Sequence, residues 1–286
     1  MARIYGSSID KAPLNGGIIG RGNAASKGGG CITGFTSSGN FCSGSTTRMV
    51  ETFFIGGGGG GKSNTFAGAG GGGGGLAARR VLIDACTQYP IVVGGGGAKS
   101  PHAPPSAFGA DGTDGVNTTG FGVAGDSTGS GTFPPNCRGT GGRSISNAIL
   151  GFSGGSAGGG AGAGGNGVNG NCNCGGDGGA GAPSTFGGSD VNYGGGGGAG
   201  SNNANNHRAS GTDGGSPGST RGAAAGSATA NRGGGGGGMR SGFSCGSYRA
   251  SSAGSSGIAF VKELDVATGR WPISAQFRAK KAGIWT

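Results

Sequence analysis

Residues 56–63 read six glycines, Lys62 and Ser63, directly after an apolar run. This satisfies the Gly-x-x-x-x-Gly-Lys-Ser pattern of nucleotide-binding loops. That pattern holds phosphate when its amides wrap the anion and a helix begins at the Lys-Ser end. Here Asn64-Thr-Phe-Ala-Gly-Ala69 follows, and then six more glycines, a poor start for a helix. The match is a product of composition, and no cofactor is expected. His102 sits in Ser-Pro-His-Ala-Pro-Pro and His207 in Asn-Asn-His-Arg, both turn-like settings. These two histidines and the 11 acidic residues show neither metal-ligand spacing nor an activated nucleophile. Neither an enzyme nor a metal site is expected.

The remaining chemistry is in thiols and charge. Cys31, Cys42, Cys86, Cys137, Cys172, Cys174 and Cys245 are candidates for disulfides or cross-links, and their odd number leaves one over. Cys172 and Cys174 are too close for an easy mutual bridge. No apolar leader follows Met1, so synthesis in the cytoplasm and oxidation after assembly are expected. No apolar stretch approaches the length of a membrane span. The net charge of +10 favours anionic partners: nucleic acid, surface polysaccharide or an acidic neighbouring subunit. The charges are dispersed, with Arg278, Lys280 and Lys281 the nearest thing to a patch. Aromatic and basic residues do not interleave in the glycine-rich region, so nucleic-acid binding is not expected.

All of these residues must be positioned by a chain in which 81 of 286 residues are glycine. Pure glycine runs occupy 56–61, 70–75, 94–97, 194–198 and 233–238. Leu, Ile, Val and Phe together supply only 41 residues, below the level expected of a chain that folds around buried hydrophobes. Collagen is excluded because there is no three-residue period and there are only 10 prolines. Cross-β stacking is disfavoured by the lack of β-branched and aromatic residues within the runs. The expected fold class is mostly irregular and β: a bundle of polyglycine II helices packed in layers, flanked by short β-strands at the N- and C-terminal ends. Backbone hydrogen bonding between neighbouring chains would then replace the hydrophobic core as the source of order.

Three regions follow. Residues 1–55 form an N-terminal attachment segment with short strands, including Arg48–Ile55. Residues 56–256 form the glycine-rich domain. Within it Leu76–Cys86 suits a short helix or a strand, and Tyr89–Val93 suits a strand. Residues 257–286 form a C-terminal closing or attachment segment, with a strand expected over Gly257–Leu264. Ser-Asn-Thr-Phe66, Ser-Ala-Phe108, Ser-Thr-Phe186 and the looser Gly-Thr-Phe133 repeat a ring after a small residue. These rings are expected mainly as core filler.

Asp177-Gly-Gly-Ala-Gly-Ala-Pro-Ser-Thr-Phe-Gly187, followed by Asn192-Tyr-Gly-Gly-Gly-Gly-Gly-Ala-Gly200, resembles a repeated unit of glycine-rich phage virion proteins of the tail-fibre or adhesin type. Ala253–Val261 resembles the strand that closes such modules. Phe277–Trp285 is similar to the short basic, Trp-containing ends of phage tail proteins. The resemblance implies a location in the virion, in tail or fibre, with other virion proteins as partners. For an adhesin it also implies recognition of a bacterial surface protein or polysaccharide through loops. The candidate receptor contacts are Phe108, Phe133, His207 and Arg208, in loops 99–108, 133–138 and 201–209. The candidate assembly residues are Arg278, Lys280, Lys281 and Trp285, with a homotrimer as one arrangement and no membrane insertion. The second reading is a purely structural tail, collar or fibre component that joins neighbouring subunits.

Overall fold

The computed structural model describes residues 3–4, 32–44, 49–64, 68–100, 112–121, 138–139, 163–170, 174–201, 209–220, 224–240 and 250–264. The strands, in chain order, are β1 (Arg3–Ile4), β2 (Ile32–Phe35), β3 (Gly39–Cys42), β4 (Met49–Ile55), β5 (Ser63–Asn64), β6 (Leu76–Leu82) and β7 (Gln88–Val92). They continue with β8 (Thr118–Gly120), β9 (Arg138–Gly139), β10 (Ala182–Ser184), β11 (Val191–Tyr193), β12 (Met239–Arg240) and β13 (Ile258–Leu264).

The expected bundle of polyglycine helices between short terminal strands is overturned. Among the described residues there is no helix, and strands recur along the chain in sheets that are mostly antiparallel. The glycine-rich pieces flank these sheets. The physical reason is local concentration. Apolar residues are scarce on average, but they cluster in β2, β3, β4, β7 and β13, where they suffice for an ordinary hydrophobic core. Leu76–Leu82 resolves as a strand, β6.

The central sheet has the order β1-β2-β13-β4-β6, so a late strand lies between two early ones. Ile258–Leu264 pairs with Met49–Ile55 over its whole length and with Ile32–Phe35 on its other side. One face packs against the four-stranded sheet β3-β7-β8-β9. Phe35, Val50, Phe54, Ala259 and Val261 meet Phe41, Ile91 and Phe121 there, all buried. The opposite face carries Phe53, Ile55, Ile258 and Phe260 and is covered by the β10–β11 hairpin through Phe186, Val191 and Tyr193. Burial on both faces explains why β4 lacks the polar alternation of a half-solvated strand. Phe186 stacks on Phe53 at 5.6 Å between ring centroids, and Tyr193 meets the same ring edge-on. Of the expected filler rings, Phe186 serves that role; Phe66, Phe108 and Phe133 lie outside the described residues.

At Ile55 the sheet gives way to glycine. The amides of Gly56, Gly57, Gly58, Gly59, Gly60 and Gly61 donate in turn to Gly75, Val116, Ser255, Gly72, Thr113 and Ser252. Every third amide therefore returns to the same neighbouring segment. Gly97, Gly236 and Ser100 donate back to Gly58, Gly59 and Gly61. The run 194–198 repeats the scheme: Gly195, Gly198 and Ser201 donate to Asp213, Ser216 and Ser219. These extended segments thus bond to neighbours on several sides, not on the two sides available to a strand. Such crowding leaves no room for side chains. A Cβ on Gly57, Gly58, Gly60 or Gly61 would fall closer than 3.0 Å to the carbonyls of Gly95, Gly234, Ala98 or Gly237.

Thr118 joins core to glycine network. It is fully buried, its hydroxyl donates to the Ile55 carbonyl at 2.5 Å, and it accepts from the Gly94 amide at 3.0 Å.

Burial raises the pKa of the Tyr193 phenol above its ordinary value, against a smaller opposing pull from the Arg232 guanidinium. A raised folded-state pKa means that the native chain holds this proton more tightly than the unfolded one. The associated stability is present below pH about 10 and is lost as pH rises through the folded value. Denaturant unfolding at pH about 9 and about 11 should show a loss of stability that is smaller in Tyr193→Phe than in the wild type.

Candidate functional site

The glycine network has two ends. At one end it runs into the sheets, through Ile55, Leu76, Tyr193 and Ile258. At the other, the chain leaves and re-enters the described structure at a cluster of mutually bonded residues. Lys62 donates its amide to Ala69 and accepts from Met239. Ser100 donates to Gly61, Gly200 to Gly68, Ser201 to Ser219, and Ser219 to Gly238. The Ser63 and Ser100 hydroxyls lie 2.6 Å apart, both residues buried. Gly175 packs against the carbonyls of Ala199 and Gly200.

These residues bracket six segments, 65–67, 101–111, 171–173, 202–208, 221–223 and 241–249. The segments contain both histidines of the chain, His102 and His207, along with Phe66, Phe108, Phe243, Tyr248, Arg208, Arg221 and Arg249. Within the glycine runs a side chain would collide with a backbone, and these large side chains fall, in sequence, in the segments between the stems. The architecture brings these stems together; their spacing in sequence did not show it.

The expected contacts Phe108, His207 and Arg208 fall within bracketed segments and lie outside the described residues. Phe133 also lies outside them, and its segment departs elsewhere, at Phe121, which packs with Phe41, Phe54 and Tyr89 beside the sheets. Sequence reading passed over segment 241–249, with Phe243, Tyr248 and Arg249. The available signal was a brief return of aromatic and basic residues after the last glycine run. Arg278, Lys280, Lys281 and Trp285 lie outside the described residues. They follow β13, which runs away from the glycine network and ends at Leu264 opposite Met49.

Cys31, Cys137, Cys172 and Cys245 also lie outside the described residues. Cys42 and Cys86 are exposed thiols on adjoining backbone near the β3–β7 pairing, and Cys174 is half-buried. Gln88 donates to the Cys42 sulfur at 3.5 Å. The nucleotide-loop pattern forms no phosphate cradle, because every amide from Gly56 to Lys62 already donates to a protein carbonyl. Among the described residues, no cluster of three metal-ligating side chains is found, and no helix is long and apolar enough to cross a membrane.

The sequence profile of the glycine-rich domain family matches residues 36–263, which takes in the network, its stems and most of both sheets. The chain belongs to the glycine-rich domain family. Comparison with curated proteins gives no match.

In this glycine-rich domain the stems depend on backbone proximity. Gly61→Ala would drive a methyl group into the Gly237 carbonyl at the stem end, whereas a Cβ on Gly95 meets nothing within 4 Å. Gly61→Ala should cost at least about 1–3 kcal/mol and lower Tm by several degrees. Gly95→Ala should stay within about 0.5 kcal/mol of the wild type. Paired thermal melts of the two variants check this.

Proposed function

We propose that this chain is a recognition protein of a phage tail or fibre tip, an adhesin that contacts a receptor on the host cell surface. The observation that carries the reading is the convergence of the stems that bracket six segments, at the end of the glycine network remote from the central sheet. Those segments combine Phe, Tyr, His and Arg with Ser, Asn and Gly. This is the mixture found in loops that bind by a few rigid aromatic anchors and adaptable polar contacts. A framework joined by backbone bonds in several directions would hold the stems in place at little cost in side-chain ordering. The sheet end, with the segment beyond Leu264, would then carry the contacts to other virion proteins.

A purely structural role in the virion is the second reading. It is favoured by the exposed thiols of Cys42 and Cys86, which sit at the sheet end and suit cross-linking to a neighbour.

Labelled protein incubated with intact host cells and with unrelated cells separates the two readings. The adhesin reading expects saturable, host-specific binding that falls at least about tenfold in the quadruple variant Phe108→Ala, His207→Ala, Arg208→Ala, Tyr248→Ala. Absence of binding by folded, correctly assembled protein would sink it and leave the structural role.

A further inference from the structure

A concavity at the sheet end has a different chemistry from the stem end. Ile32, Lys262, Glu51 and Arg80 stand side by side in register across β2, β13, β4 and β6. The neighbouring row on the same face, two residues along each strand, contains Phe260 and Phe53, which the β10–β11 hairpin covers. The hairpin turn extends over the polar row. Between turn and sheet lies an open cleft of about 680 Å³, lined by residues that include Glu51, Lys262, Ser184, Thr185, Phe186 and Asp190. This is the size of ordinary small-ligand sites, roughly 300–1,000 Å³.

The turn is held by its own bonds. Gly188 donates its amide to the Thr185 carbonyl at 2.9 Å, and Phe186 donates to the Ser184 hydroxyl oxygen at 3.1 Å. The positive φ of 89° at Gly188 closes the turn. The ring of Phe186 is fixed from behind by Phe53 and Phe260. The cleft is thus pre-formed, with one immobilised aromatic surface.

Its lining groups narrow the ligand. Glu51 lies opposite Lys262 and pairs with Arg80 at 3.4 Å, so charges of both signs alternate along the row. A phosphate or a polycation would meet no field of a single sign. The floor strands β4 and β13 are each paired on both sides, so the floor offers no free strand edge to an extended peptide, and the edge of the wall strand β10 is interrupted by Pro183, which has no amide to donate. What remains is a set of carboxylate acceptors, an ammonium donor and two hydroxyls around an aromatic ring. A sugar presents the matching surface: hydroxyls in several directions on its rim and C–H groups on its face.

We propose that this cleft is a saccharide-binding site, in which Asp190, Glu51 and Lys262 take the hydroxyls and Phe186 takes the apolar face of a pyranose. The site is separate from the stem end and does not depend on the receptor reading given to it.

The test applies full-length protein to a printed array of neutral and amino-sugar di- to tetrasaccharides, followed by calorimetric titration of any saccharide that binds. Four proteins are compared: the wild type, Asp190→Asn, Thr185→Trp to fill the cleft, and the stem-end quadruple variant. Thermal melts confirm that each is folded. The expected result is saccharide binding by the wild type and the quadruple variant, about tenfold weaker in Asp190→Asn and abolished in Thr185→Trp. Asp190→Asn is near-isosteric at an exposed position and keeps the test valid if Thr185→Trp fails to fold. No saccharide binding by folded wild type, or binding that Asp190→Asn leaves unchanged, overturns the proposal. So does binding that is lost only in the quadruple variant. Cell binding measured on the same four proteins reports on the receptor reading independently.

Discussion

The structure depends on the approach of one backbone to another at distances that a Cβ would forbid. In the run 56–61, consecutive amides reach segments near 72–75, 113–116 and 252–255, while carbonyls accept from 97, 100 and 236. Each bond is an ordinary peptide hydrogen bond with a modest net contribution. Their number and their several directions substitute for side-chain packing throughout this part of the chain. Glycine loses the most conformational entropy on ordering, so such a network is unfavourable in an isolated strip. It becomes favourable where every strip has neighbours around it and few buried amides lack a partner.

The hydrophobic sheets supply what the network lacks, a point from which to start. β4, β6, β11 and β13 all run directly into or out of glycine segments, so the pairing of Phe53, Phe54, Ile55 and Phe260 sets the alignment of the chains beyond them. Thr118 ties the junction by bonding both Ile55 and Gly94. Farther along, serines assist: Ser255 accepts from Gly234, and Ser216 and Ser252 both accept from Gly237. These small hydroxyls fit where larger groups do not. Among the described residues the glycine network thus has two ends, one running into the sheet core and one formed by the bonded stems.

Individual strands were legible in the sequence. Arg48–Ile55, Tyr89–Val93 and Gly257–Leu264 stood out as apolar stretches against glycine and appear as β4, β7 and β13 with small shifts of boundary. The fold class was not legible, because the average apolar content hid how strongly those residues cluster and pair. Placing β13 between β2 and β4 joins segments more than 200 residues apart, and no local signal encodes that. The candidate contacts were chosen by residue type within loops. Phe108, His207 and Arg208 fall in sequence between stems that the fold brings together, whereas the segment with Phe133 follows Phe121, beside the sheets. The cleft at Glu51, Asp190 and Lys262 had no sequence signature at all.

Composition by itself determined that large parts of this chain would be built from closely approaching backbones, because only glycine leaves space for them and only hydrogen bonds could order them. It also marked three of the strands, β4, β7 and β13, since short apolar stretches in a glycine chain have few other ways to be buried. The tertiary structure alone decided which glycine run meets which. A glycine amide is chemically the same at every position, so its partner is selected by the sheets that align the runs and not by any property of the run. For the same reason only the fold could bring the stems of six distant segments to one end and leave a polar cleft beside the other.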